Sequence, residues 1–144
     1  KHFGLMSWQK LIQRDIGHFP GSDNDSRRID ARKCLENYVH LCLRPEHSMA
    51  ELAVKQKRIK SFIWLTIDSS VIRLESTQFS DQNATANAAI INHDPRTALA
   101  SKNPRAEVLV EGSISLRCIS FPSEVQPGIL GKNDSINMVD PITF

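Results

Sequence analysis

Ser61-Phe62-Ile63-Trp64-Leu65-Thr66-Ile67-Asp68-Ser69-Ser70-Val71-Ile72-Arg73-Leu74-Glu75 is the stretch on which the fold turns. Residues 62–67 are a nearly continuous apolar run, and residues 71–75 set Ile72 and Leu74 against Arg73 and Glu75 with a period of two. That is the period of a strand, whose side chains alternate between two faces, and Asp68-Ser69-Ser70 supplies turn formers between the two runs. A hairpin is expected. The competing reading carries the preceding helix on through residues 62–67, with Ile63 extending its apolar seam, and would make the protein mainly α.

Immediately upstream, Ser48-Met49-Ala50-Glu51 has the form of a capping box, in which the serine oxygen and the glutamate carboxylate each satisfy an orphan amide of the first turn. It opens a third helix whose seam is Met49, Leu52, Ala53 and Ile59. Before it, at 100° per residue, Ala31, Cys34, Leu35, Tyr38, Val39, Leu41 and Cys42 fall within an arc of about 160°. A second helix is therefore expected over residues 30–43, with Asp30 as N-cap and Pro45 as stop. Farther out, Leu5, Trp8, Ile12 and Ile16 recur at helical spacing and Gly17 comes next as a stop, with a loop over residues 18–25.

Downstream, Ser80 is expected to cap an alanine-rich helix over residues 81–92. Asp94-Pro95 starts a short helix that ends before Asn103-Pro104. Residues 107–110 and 113–121 alternate around Glu111-Gly112 as a second hairpin, with Ile114, Leu116 and Cys118 on one face. Beyond Pro122 the pattern gives turns, with short strands at 128–130 and 136–139. Together these predict an α+β fold: N-terminal helices packed on a mixed or antiparallel sheet built from two hairpins, in one compact domain over residues 1–144.

Composition bounds the function classes. The 144 residues are 40% hydrophobic and 24% charged, which is ordinary for a globular chain and unlike a disordered or collagen-like one. The longest apolar runs, Phe62-Ile63-Trp64-Leu65 and Ala88-Ala89-Ile90-Ile91, are far shorter than the ~18 residues of a membrane span, so no membrane partner is expected. No basic-then-apolar stretch with a small-residue cleavage site is visible, so no signal peptide is expected. Three cysteines, Cys34, Cys42 and Cys118, make an odd count without a CxxC pair. They are expected to be reduced and buried, which favours a cytoplasmic setting.

Sites with chemistry fail geometric tests one by one. Cys34, His40, Cys42 and His47 are zinc-ligand types, but on a helix Cys34 and Cys42 lie about 12 Å apart along the axis and His40 points away, so no metal site is expected. The six glycines never form Gly-x-Gly, which argues against a nucleotide cofactor, and no cofactor is expected. Cys118 lacks an activating neighbour apart from Arg117. His93-Asp94, between two expected helices, is the best acid/base pair, although a carboxylate before proline at a helix start is first of all a cap.

Charge distribution is the feature that stands out. The net charge of +2 divides into none over residues 1–25, +5 over residues 26–60 and −3 over residues 61–144. Lys55, Lys57, Arg58 and Lys60 form the densest run, and Arg27 and Arg28 add to it if the second and third helices pack antiparallel. This predicts a non-catalytic binding domain offering a basic helical face to an acidic partner, either an acidic protein or a nucleic acid. The alternative is a small hydrolase or transferase with a pocket near His93.

Overall fold

The computed structural model describes residues 4–16, 24–45 and 48–122. The elements run β1 Leu5–Met6, α1 Trp8–Gln13, α2 Asn24–Arg32, β2 Tyr38–Cys42, α3 Ser48–Lys55, β3 Thr66–Ile67, β4 Gln78–Ser80, β5 Ile91–Asn92, α4 Arg96–Leu99, β6 Glu107–Glu111, β7 Ser113–Ile114 and β8 Ile119–Ser120. Two short 3-10 helices, Ser69–Arg73 and Leu116–Cys118, lie before β4 and β8. The class is α+β, as the pattern implies. Every strand pair among the described residues is antiparallel.

The main sheet has the order β2-β6-β4-β5, and two short ribbons, β1-β7 and β3-β8, flank it. β6 and β4 are the inner strands: Val108 and Val110 of β6 face the larger core with Val39 and Leu41 of β2 and Phe79 of β4. Leu65, Ile67, Val71, Leu5 and Ile114 complete that core from the ribbons and the connecting segment. Burial of a side chain such as Leu41 or Phe79 contributes about 1.5–3 kcal/mol each. The opposite face of the same sheet is mixed, carrying Tyr38, His40 and Cys42 of β2 in register with Glu111, Leu109 and Glu107 of β6. Leu35, Ala84 and Leu109 form a small second core there.

The expected helix over residues 30–43 is the main correction. Its apolar arc exists because residues 38–42 are apolar on one strand face and semi-polar on the other, which a helical wheel cannot separate from a broad helical stripe. With β6 available as a partner, Tyr38–Cys42 pairs as strand β2 over five residues. The helix lies earlier, at Asn24–Arg32, partly inside the expected loop, and residues 18–23 of that loop are outside the described residues. Asp30 is therefore not an N-cap but lies near the C-terminal end of α2, its carbonyl accepting from Leu35 N at 2.8 Å.

All three N-terminal helices end in the same way. Ile16 N bonds Leu11 O and Asp15 N bonds Ile12 O; Leu35 N bonds Asp30 O and Cys34 N bonds Ala31 O; Arg58 N bonds Ala53 O and Lys57 N bonds Val54 O. These are paired Schellman bonds, which require a left-handed residue just past the helix. Asp15, Cys34 and Lys57 occupy it, with φ of 58°, 56° and 58°. Gly17, the expected stop of the first helix, lies outside the described residues. That helix is also shorter than expected: Leu5 and Met6 pair with Ile114 and Ser113, and Ser7 caps α1 by accepting from Lys10 N.

In the deciding stretch, Thr66 and Ile67 form a strand, so the mainly α alternative is excluded there. Their partners are Ser120 and Ile119 rather than residues 71–75. Val71 to Arg73 lie in a 3-10 helix capped by Asp68, whose carboxylate accepts from Ser70 N at 2.7 Å. The second expected hairpin region supplies β6 and β7, but Gly112, at φ +72°, bends the chain so that β7 leaves the main sheet for β1. The expected helix over residues 81–92 is instead a loop that leads from β4 into β5. The helix signalled by Asp94-Pro95 is present as α4, with Asp94 Oδ1 accepting from Arg96 N at 3.0 Å. The expected strands at 128–130 and 136–139 lie outside the described residues.

Candidate functional site

Lys55 closes α3, and the Schellman turn after it displays residues 57–60. Lys55, Lys57 and Lys60 are exposed, Arg58 is half-buried with Nε donating to Gln56 Oε1 at 3.0 Å, and Ile59 between them is buried as the anchor of the segment. Lys55, Lys57 and Lys60 have no ion-pair partner among the described residues. Local structure accounts for part of the pattern, because cations are favoured where unpaired carbonyls end a helix.

Arg27 and Arg28 sit differently. Both lie on α2, where Arg27 donates to Asn24 and Arg28 pairs with Asp25 at 3.0 Å. The antiparallel helix pair that would have merged them with the lysines does not form, since β2 precedes the loop into α3. At the start of α3, Ser48 Oγ accepts from Arg105 Nε at 3.1 Å, which ties this helix to the loop before β6.

A second constellation emerges on the mixed face of the sheet. His40 Nδ1 lies 3.1 Å from Glu107 Oε2, diagonally across the β2–β6 ladder. The same Glu107 oxygen accepts from Ala84 N at 3.2 Å, and Glu107 is itself buried. Asp30 of α2 is buried nearby, and its carboxyl is pushed above the usual carboxylate range. Loss of hydration is the main cause; His40 and the polar edge of Trp8 oppose it, while Glu107 and Glu36 add to it. Next to Glu107 in register, Ser80 Oγ is buried with no hydrogen-bond partner among the described residues. Tyr38 OH accepts from Gln78 Nε2 at 3.1 Å, and burial, then the charge of Glu111, raises its phenol pKa.

The other sequence-level candidates come apart in space. Cys34 is exposed in its left-handed turn, against the expectation that all three cysteines are buried; Cys42 is buried and Cys118 half-buried, and all three are free thiols. Cys34 is outside because α2 ends at Arg32 and Cys34 occupies the left-handed position of the turn that follows. His40 is not on a solvated helix face but half-buried on β2. No group of three or more His, Cys, Asp or Glu with metal-holding geometry occurs among the described residues. His93 Nδ1 lies 2.9 Å from the Thr77 carbonyl, and the Asp94 carboxylate is held by Arg96 at 2.9 Å. Those hydrogen bonds from Arg96 keep the Asp94 carboxyl below its ordinary range. No helix among the described residues is long and apolar enough to cross a membrane.

The Asp30–His40–Glu107 layer escapes a sequence reading because it depends on residues 38–42 being a strand. The signal was the alternation Tyr38-Val39-His40-Leu41-Cys42, which matches Glu107-Val108-Leu109-Val110-Glu111. Compared with protein-family models, curated proteins and solved structures, the chain shows no match to any of them.

Proposed function

We propose that the chain is a non-catalytic binding module whose contact surface is the basic segment Lys55, Lys57, Arg58 and Lys60, directed at an acidic partner such as a nucleic acid. The observation that carries this reading is the exposure of three lysines within six residues, each without an ion-pair partner among the described residues. Polyanion contact releases condensed counterions and gains from unpaired cations of this kind. Arg27 and Arg28, already engaged with Asn24 and Asp25, contribute less. The alternative, a small hydrolase or transferase around His93, draws less support because the neighbouring Asp94 is committed to Arg96.

The test is titration of a labelled duplex oligonucleotide from about 50 to 300 mM salt, with the triple variant Lys55→Glu, Lys57→Glu, Lys60→Glu beside the unaltered chain. Binding that weakens with salt, with a slope flattened by about 0.9 for each lost contact, is the expected result. His93→Ala should leave that slope unchanged. A salt-independent interaction, or none at about 50 mM, removes nucleic acid as the partner class.

A further inference from the structure

Residues 81–90 leave β4 and return to β5 as a closed loop whose two ends bond each other: Asp81 N donates to Ile90 O at 3.3 Å and Ile90 N to Asp81 Oδ1 at 2.9 Å. Inside it, Asn83 Oδ1 accepts from Thr85 N at 2.9 Å and also from the Thr85 hydroxyl, Ala86 N bonds Asn83 O, and Ala89 N bonds Ala86 O. A loop with joined ends and its own internal bonds keeps its shape independently of what it lies on. It lies on the mixed face of the main sheet, with Ala84 fully buried against Leu35 and Leu109.

Its attachment is unusual. The Ala84 residue is gripped from both sides by opposite charges: its amide donates to Glu107 Oε2 at 3.2 Å, and its carbonyl accepts from Lys33 Nζ at 2.9 Å. The same ammonium also donates to the carbonyl of Ala86. Lys33 directly follows α2, so one peptide segment joins the end of that helix, the loop and β6. Ser101 Oγ, donating to Asp81 O at 2.6 Å, anchors the hinge end instead. The same face of the sheet carries Glu107, in contact with the loop, His40 of β2, 3.1 Å from Glu107, and Ser80 of β4, in register with Glu107.

We propose that residues 81–90 are a flap over this polar face, latched by the Lys33–Ala84–Glu107 clamp, and that opening the latch exposes Ser80, His40 and Glu107 without unfolding the sheet. The little apolar burial under the loop, chiefly one alanine, favours opening as a unit. The clamp is electrostatic, so it is the element that a change of one charge would release.

Amide hydrogen exchange on the whole chain tests this, comparing it with Lys33→Met, which keeps the aliphatic stem, and Lys33→Arg. Loss of a charge-assisted bond should speed exchange at Ala84 on the order of ten- to a hundred-fold, with Ile90, whose amide is held within the loop by Asp81, and Val108 and Val110 of β6 changed far less. Lys33→Arg should restore much of the protection. In a Ser80→Cys background, Lys33→Met should also accelerate thiol labelling at position 80, located by mass spectrometry apart from Cys34, Cys42 and Cys118. Unchanged exchange at Ala84, or exchange of residues 81–90 at one shared rate with Val108 and Val110, would overturn the flap. The exchange measurement stands alone if Ser80→Cys does not fold.

Discussion

His40 and Glu107 meet diagonally across two antiparallel strands, Nδ1 to Oε2 at 3.1 Å, on a face of the sheet that also buries Asp30. Two carboxylates thus share the surroundings of one imidazole, and the second of them has lost its water. Because loss of hydration outweighs the opposing influence of His40 and the Trp8 indole, Asp30 binds its proton more tightly in the folded chain than in the unfolded one. A raised carboxyl contributes stability that is full below its unfolded pKa of 3.8 and is lost as pH rises through the folded value. Asp30→Asn removes that dependence. Its melting temperature relative to the unaltered chain should therefore be more favourable at pH 7 than at pH 4, a comparison calorimetry makes directly. A relative advantage that grows toward acid would contradict the assignment.

Gly4 stands against the carbonyl of Ile114 so closely that a Cβ there would lie 1.6 Å from the oxygen and 2.7 Å from its carbon. Both are backbone atoms, so the contact cannot be relieved by a rotamer change. Gly4→Ala should push β1 off β7 and cost about 1–3 kcal/mol in denaturant unfolding, typical of overpacking. A variant within about 0.5 kcal/mol of the parent, as for a neutral surface change, would show that the β1–β7 ribbon does not contribute to stability.

Legibility in the sequence followed the range of the forces involved. Local signals held: the start of α3 at Ser48, the Asp94 turn into α4 and the strand character of residues 107–110 all appear. The failures were decided by partners far away. Residues 38–42 became a strand because β6, almost seventy residues on, offers a matching ladder. Residues 81–92 lost their helix because Asp81 and Asn83 side chains take backbone amides and because β5 closes the sheet. The basic run was visible as composition, and the structure adds its exposure. The His40–Glu107 pair exists only because residues 38–42 form a strand, which no local signal specifies.

Val71 and Leu74 separate the hairpin reading from the observed one. Period-two alternation turns Ile72 and Leu74 inward, whereas the 3-10 helix buries Val71 at 3% exposure and leaves Leu74 at 50%. Val71→Ala should then cost about 1–3 kcal/mol through lost burial and an unfilled space in the core it shares with Ile67 and Val108. Leu74→Ala should stay within about 0.5 kcal/mol. The reverse ranking in urea unfolding would favour the hairpin.

Lys57 and Cys34 are L-residues in a backbone conformation where Cβ crowds the following carbonyl, at a cost of roughly 1–2 kcal/mol each. Glycine avoids that crowding, although it loses more backbone entropy on folding, which offsets about 0.5–1 kcal/mol of the gain. The balance favours Lys57→Gly and Cys34→Gly by some tenths to about 1 kcal/mol, as for glycine at other helix ends of this type. Lys57→Ala keeps the Cβ and serves as the control, since any effect shared by both variants comes from losing the ammonium. At Cys34, whose exposed thiol is no part of either core, Cys34→Ala serves in the same way. Equilibrium unfolding should rank glycine above alanine at both positions. Glycine falling below alanine at both would mean that Cys34 and Lys57 do not adopt the left-handed turns that end α2 and α3.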